Sequence, residues 1–120
     1  QTCALPIYAD FQQNDVRDFC KQHNIAVESW SPIGGQGSHL LDNNIVKSIA
    51  EKYGKSPAQI AIRWHIDNGL IVIPKSVHEE RIVENANVFD FKLDQDDLDS
   101  LATLDGDNRV GPDPDTSEFI

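Results

Sequence analysis

The stretch Pro74-Lys75-Ser76-Val77-His78-Glu79-Glu80-Arg81-Ile82-Val83-Glu84-Asn85 holds the most informative chemistry in the chain. Lys75 leaves the C-terminal end of an apolar run and Arg81 follows after a first helical turn, so both cations can face one anion. The Ser76 hydroxyl and the free N–H groups of a helix N-terminus add donors, a set suited to a phosphate. Glu79 and Glu80 oppose an anion slightly and read as partners of the helix dipole. Taken as isolated charges, Lys75 and Arg81 would read as solvated surface, so wider context has to decide.

Other patterns point away from competing chemistries. Gly35-Gln36-Gly37 starts like a glycine-rich phosphate turn, but Leu40 stands where its third glycine belongs and no Gly-Lys-Ser/Thr follows. The acidic run from Asp94 to Asp107 lacks the alternating ligands of a calcium loop and reads as a solvated helix face. Cys3 and Cys20 are the two cysteines, without zinc spacing; Cys20 reads as a buried, inert thiol, and a reducing cytoplasm fits best. A formal net charge of −10 argues against a nucleic-acid partner, because Asp and Glu (20) outnumber Lys and Arg (10) and phosphate neutralisation needs a basic face. No apolar run approaches the length of a membrane span. Nothing in the sequence marks an oligomeric state.

The elements that must position the phosphate-like site follow from periodicity. Val16, Phe19 and Cys20 mark the buried face of a helix from Asn14, its N-cap, to His23. Ile25 to Trp30 reads as a strand, and Ser31 to Gly37 as a loop whose glycines let backbone approach a ligand. Ile45, Ile49 and Tyr53 predict a helix ended by Gly54 in a left-handed turn. Ser56-Pro57-Ala58-Gln59 predicts an immediate second helix, with N-cap, first-turn proline and capping-box glutamine, running to Asp67 or Asn68. Leu70 to Ile73 is apolar on both faces, as in a buried parallel strand. A helix from His78 to Ala86 with Ile82 inward follows, then Leu93 and Asp94 open a helix carrying Leu98 and Leu101, and a tail runs from Asp105 to Ile120. This alternation implies β/α units and a parallel sheet, with too few strands to make a core alone.

The chain has 120 residues, against the roughly 250 of a complete eight-fold β/α barrel. Gln1 to Ile7, QTCALPI, matches one reading frame of a common short-read sequencing adapter, so residues 1–8 are expected to be a non-native scar, with Tyr8 at the junction. The natural domain segment is therefore expected to be 9–120, starting at Ala9.

Asp10 to Gln13, Ile25 to Gly34, Lys55 to Trp64, Ile71 to Asn85 and Gly111 to Pro114 together resemble the aldo-keto reductase superfamily, particularly its bacterial members. The resemblance implies the C-terminal portion of a (β/α)8 TIM barrel: two parallel strands with flanking helices and a C-terminal tail. It also implies an NADP(H)-dependent oxidoreductase that reduces aldehydes or ketones to alcohols. Lys75, Ser76 and Arg81 would then hold the adenosine 2′-phosphate that distinguishes NADP from NAD. Glu84 and Asn85 would contact adenine, beside the Val77 backbone. Trp30 stands where the family stacks an aromatic ring on nicotinamide, and Ser31 and Ile33 would lie along the pyrophosphate. The family's catalytic tyrosine, lysine, aspartate and histidine would all lie upstream. Tyr8, Tyr53, His39 and His65 do not match those positions, so no catalytic residue and no metal ligand is assigned. The alternatives are a non-catalytic nucleotide-binding or regulatory barrel, and an inactive truncated fragment. Asp113 and the acidic tail would pack near the mouth of the site.

Overall fold

Three parallel strands organise the computed structural model, which describes residues 1–35 and 37–110. β2 (Ala26–Trp30) lies between β1 (Thr2–Pro6) and β3 (Ile71–Val72), with Cys3 opposite Val27 and Ser29 opposite Val72. α1 (Asn14–Gln22) connects β1 to β2, while α2 (Asn44–Tyr53) and α3 (Pro57–Asp67) connect β2 to β3. α4 (Glu79–Ala86) and α5 (Gln95–Ala102) follow the last strand. Because the strands are parallel, their C-terminal ends share one edge, and the loops leaving β2 and β3 converge there.

The sheet has one strand more than the two expected, because Thr2–Pro6, set aside in the sequence reading, forms β1. Its pairing with β2 uses main-chain groups, and the Thr2 and Ala4 side chains stay exposed. The chain then dives inward, and Ile7, Tyr8 and Ala9 join Cys20, Val27, Ile60 and Trp64 in the core. Arg63 and Asp67 fasten the segment after α4 to α3. Asp67 accepts from Arg63 Nε at 3.0 Å and from the Leu93 N–H at 3.0 Å, while Arg63 Nη1 donates to the Val88 carbonyl at 3.0 Å. No described helix is long and apolar enough to cross a membrane.

Local signals translated faithfully. Gly54 sits at φ 64°, the left-handed cap that ends α2. Ser56 and Gln59 close a capping box with Pro57 at the start of α3, and Asp94 and Asp97 close another on α5. Readings that needed distant partners moved. Gln13, not Asn14, is the N-cap of α1 and adopts a left-handed conformation; Asn14 enters the first turn and instead accepts from Arg17. Of the three residues assigned to that helix's inner face, only Cys20 is buried, while Phe19 turns outward and stacks on His23 with ring centroids 4.2 Å apart. β3 shrinks to two residues, and Ile71, Ile73 and Ile82 are exposed, because no further layer covers that side among the described residues.

His65 is fully buried, with Nδ1 2.8 Å from the Ala61 carbonyl and Nε2 2.8 Å from the Ile7 carbonyl. Burial, the largest effect, pushes its pKa below the ordinary histidine value and outweighs the two carbonyls, which act in the other direction. A neutral ring carries one N–H, so it can donate to only one of the two carbonyls. The unfolded chain therefore binds more protons than the native one just below about pH 6.5, and stability falls as pH drops through that window. Urea midpoints measured between about pH 7 and 5 should decline for the natural chain, and His65→Gln should flatten that slope; equal slopes would rule His65 out as its source.

Candidate functional site

At the C-terminal edge of the sheet lies an open cavity of about 670 Å³. Three elements build it. The loop after β2 contributes Ile33 and Leu41, the first turn of α3 contributes Ser56, Pro57 and Ala58, and the β3–α4 segment contributes Lys75, Ser76, Val77, His78, Arg81, Glu84 and Asn85. Pro74 stands two residues beyond the end of β3 and has no N–H to extend the ladder, which releases Lys75 and Ser76 toward α4. The Ser76 hydroxyl accepts from the His78 N–H at 3.2 Å, and the His78 carbonyl accepts from the N–H groups of Arg81 and Ile82, at 3.1 and 3.0 Å. This turn sets the lysine, the serine and the arginine on one wall.

The opposite wall is held by α3. Ser56 Oγ donates to Glu84 Oε1, and Gln59 Nε2 donates to the Glu84 carbonyl at 2.9 Å and to the Asn87 carbonyl at 3.2 Å. The N-terminus of α3 is thus latched to the second half of α4, which fixes the width of the cavity between them. In the sequence, Ser56, Pro57 and Ala58 are legible only as a helix start, and no local signal marks Leu41 or His78 as lining the cavity. The capping motif showed that a helix N-terminus existed there, but not what it faced.

Of the nine residues proposed from sequence, Ile33, Lys75, Ser76, Val77, Arg81, Glu84 and Asn85 converge on the cavity, whereas Trp30 and Ser31 do not line it. Trp30 ends β2 and is 41% exposed. Ser31 takes a left-handed φ of 52°, and its carbonyl accepts from the Gly34 N–H at 2.8 Å, so the chain reverses sharply into the cavity wall. Gly34 has φ +91°, and a Cβ there would stand 2.5 Å from the Ser38 Cβ, which makes the missing side chain a packing requirement.

Charge in this corner runs against that of the whole chain. Lys75 and Arg81 face the cavity with Glu84 as the acidic residue lining it, in a protein of net charge −10. Lys52 and Lys55 are committed elsewhere, Lys52 to Asp94 and Asp97 and Lys55 to Asp90. The Asp94 and Asp97 carboxylates hold the Lys52 ammonium well above its usual range. Both tyrosine hydroxyls serve structural contacts. Tyr8 donates to the Asn108 carbonyl at 3.0 Å and accepts from the Val110 N–H at 2.6 Å, while Tyr53 donates to Asp97. Burial pushes the Tyr8 phenol up, and the Asp97 bond raises that of Tyr53. Neither ring lines the cavity, nor does His39 or His65. The segment from Gly111, including Asp113, lies outside the described residues.

Comparison with known proteins identifies the family and fold of the chain. Residues 2–105 match the aldo/keto reductase family model. The chain is 51% identical to a methylglyoxal reductase of Escherichia coli over 111 residues, which cover 92% of this chain and 40% of that protein. It is 48% identical to a glyoxal reductase of Bacillus subtilis over 107 residues, covering 89% of this chain and 38% of the relative. The chain thus spans about two fifths of the length of these curated relatives. Among solved structures, it superposes on a Gox0644 variant in complex with NADPH with a TM-score of 0.93 at 45% identity, covering 98% of this chain and 43% of that one. An aldo-keto reductase from a deep-sea metagenome, MGS-M4, gives a TM-score of 0.96 at 34% identity, covering 99% and 44%. The parallel sheet and its helices are therefore part of a β/α barrel.

Proposed function

Since the chain belongs to the aldo/keto reductase family, we propose that it supplies much of the cofactor site of an enzyme that reduces aldehydes or ketones to alcohols with NADPH. The observation that carries this reading is the cavity beyond the strand ends, where Lys75, Ser76 and Arg81 share one wall. A phosphomonoester fits that donor set: two cations and a hydroxyl beside a helix N-terminus. Lys75, Ser76 and Arg81 hold the 2′-phosphate. Glu84 and Asn85 meet the adenine beside the Val77 backbone, and Ser56 keeps the Glu84 carboxylate in place. Trp30, open at the end of β2, gives a face for the nicotinamide, and Ser31 and Ile33 follow the pyrophosphate. When bound, the nicotinamide supplies the hydride.

The part played by these residues is orientation. A ring stacked on Trp30 has one face shielded and the other presented to a carbonyl carbon. Proton delivery to the developing alkoxide falls to groups outside this chain, because the hydroxyls of Tyr8 and Tyr53 are occupied away from the cavity. The 120 residues alone are therefore inactive, and residues 9–120 carry the function while residues 1–8 contribute a strand.

Fusing residues 9–120 behind the upstream part of the E. coli methylglyoxal reductase tests this. The fusion should oxidise NADPH when methylglyoxal is added, and the chain alone should not. A folded fusion that turns over none of a broad panel of aldehydes and ketones would sink the proposal.

A further inference from the structure

α4 has little of its own to hold it in place. None of its eight residues is buried, its N-cap residue His78 makes no side-chain capping bond, and its C-cap residue Asn87 lacks the left-handed turn that commonly closes a helix. A helix this short is marginal in water without tertiary support. Apolar packing supplies little of that support. Ile82 and Val83 are exposed, and an open groove of about 320 Å³ is lined by Ile62 and Ile66 of α3 and by Ile82 and Ala86 of α4. The contact between the two helices is polar instead and centres on Gln59. This side chain is 6% exposed and uses both ends of its amide. Its oxygen accepts from the Ser56 N–H at 2.9 Å, which closes the capping box of α3. Its nitrogen donates to the carbonyls of Glu84 and Asn87, at 2.9 and 3.2 Å, at the end of α4 where a helix runs short of donors.

We propose that Gln59 is a positioning residue for the nucleotide: it holds α4 docked on α3, and the docking of α4 is linked to nucleotide binding. This rests on the nucleotide site described above. Arg81, Glu84 and Asn85 ride on α4, whereas Ser56, Pro57 and Ala58 form the facing wall on α3. A ligand that touches both walls binds the docked arrangement, so its apparent affinity scales with the docked fraction. By the same linkage, bound ligand holds α4 down. Gln59 itself does not line the cavity and acts only through the helix it holds.

Hydrogen exchange and titration with adenosine 2′,5′-bisphosphate, both on the full chain, test the idea. Gln59→Glu keeps the acceptor of the capping box but sets a carboxylate oxygen against the two α4 carbonyls. Gln59→Met is neutral, of similar length, and lacks all three bonds. Without ligand, α4 amides should exchange about fivefold to tenfold faster in both variants, the scale of one or two hydrogen bonds. Affinity should fall about threefold to fivefold, in step with the docked fraction that exchange reports. Saturating ligand should return α4 to its natural protection, and α3 should keep its own throughout in Gln59→Glu. If α4 amides exchange faster while affinity holds, Gln59 braces a helix and positions nothing. If α4 keeps its protection in Gln59→Met, Gln59 is no latch. Lys75→Ala separates this role from the site beneath it. Weaker binding in Lys75→Ala, with both Gln59 variants binding as the natural chain does, leaves the phosphate site standing and removes the positioning role. Undiminished binding in Lys75→Ala removes the nucleotide site itself, and the positioning role with it.

Discussion

Replacing Lys75 and Arg81 together by alanine should lower affinity for adenosine 2′,5′-bisphosphate by about a hundredfold and leave affinity for 5′-AMP nearly unchanged. A charge-assisted hydrogen bond contributes about 1.5–3 kcal/mol, and two exposed side chains each deliver the lower part of that range. The sum, about 2–3 kcal/mol, is one to two factors of ten. Arg81→Lys separates charge from shape: it keeps the cation but loses the planar fork that grips two phosphate oxygens, so it should recover only part of the loss. The unphosphorylated nucleotide is the control, because it shares the adenine contacts and lacks the phosphate. Calorimetric titration of both ligands reads the difference, and equal losses for the two would mean that the pair shapes the cavity rather than binding phosphate. Glu79 and Glu80 work in the opposite direction, and neutralising both should strengthen the bisphosphate modestly.

The largest effect on stability should come from Asp67→Ala, at about 3–5 kcal/mol. The Asp67 side chain is 2% exposed and that of Arg63 12%, so water cannot take over when the carboxylate is removed. Truncation strands the guanidinium, which keeps only the Val88 carbonyl, and orphans the Leu93 N–H. Asp67→Asn should cost less, since its amide oxygen still accepts from one donor. Urea denaturation of both variants orders these losses. Should Asp67→Ala unfold within about 1 kcal/mol of the natural chain, the link from α3 to the segment between α4 and α5 is not a structural joint.

Legibility in the sequence followed the range of the interaction. Gly54, Ser56 with Gln59, and Asp94 work within one helical turn, and each was readable at its position. Phe19 and Ile82 were misplaced because periodicity shows that a helix has an apolar face but not which part of it a neighbour covers. Adjacent residues such as Phe19 and Cys20 differ by about 100° around the axis, so a narrow contact buries one and exposes the other. The Lys75 to Asn85 wall was legible because one strand end and one helix carry it. The facing wall was not, since Ser56 and Glu84 are 28 positions apart and nothing local marks their bond. β1 was not expected because Gln1 to Ile7 was set aside for its match to a sequencing adapter; it nevertheless pairs with β2 through amides and carbonyls that most sequences possess.

That last property has a use. β1 is registered on β2 by its main chain, and the turn beyond it meets His65 through the Ile7 carbonyl. Two positions of the slot gripped in this way, Thr2 and Ala4, are exposed and nearly blind to the letters written in them, whereas Cys3 and Leu5 pack against the core and Pro6 is buried. The slot is therefore a favourable crossover point for recombining halves of related barrels: a junction placed at Thr2 or Ala4 exchanges everything upstream while disturbing few side-chain contacts downstream. Libraries cut there should retain folded members more often than libraries cut inside α3, where Ile60, Trp64 and His65 are interlocked with the core.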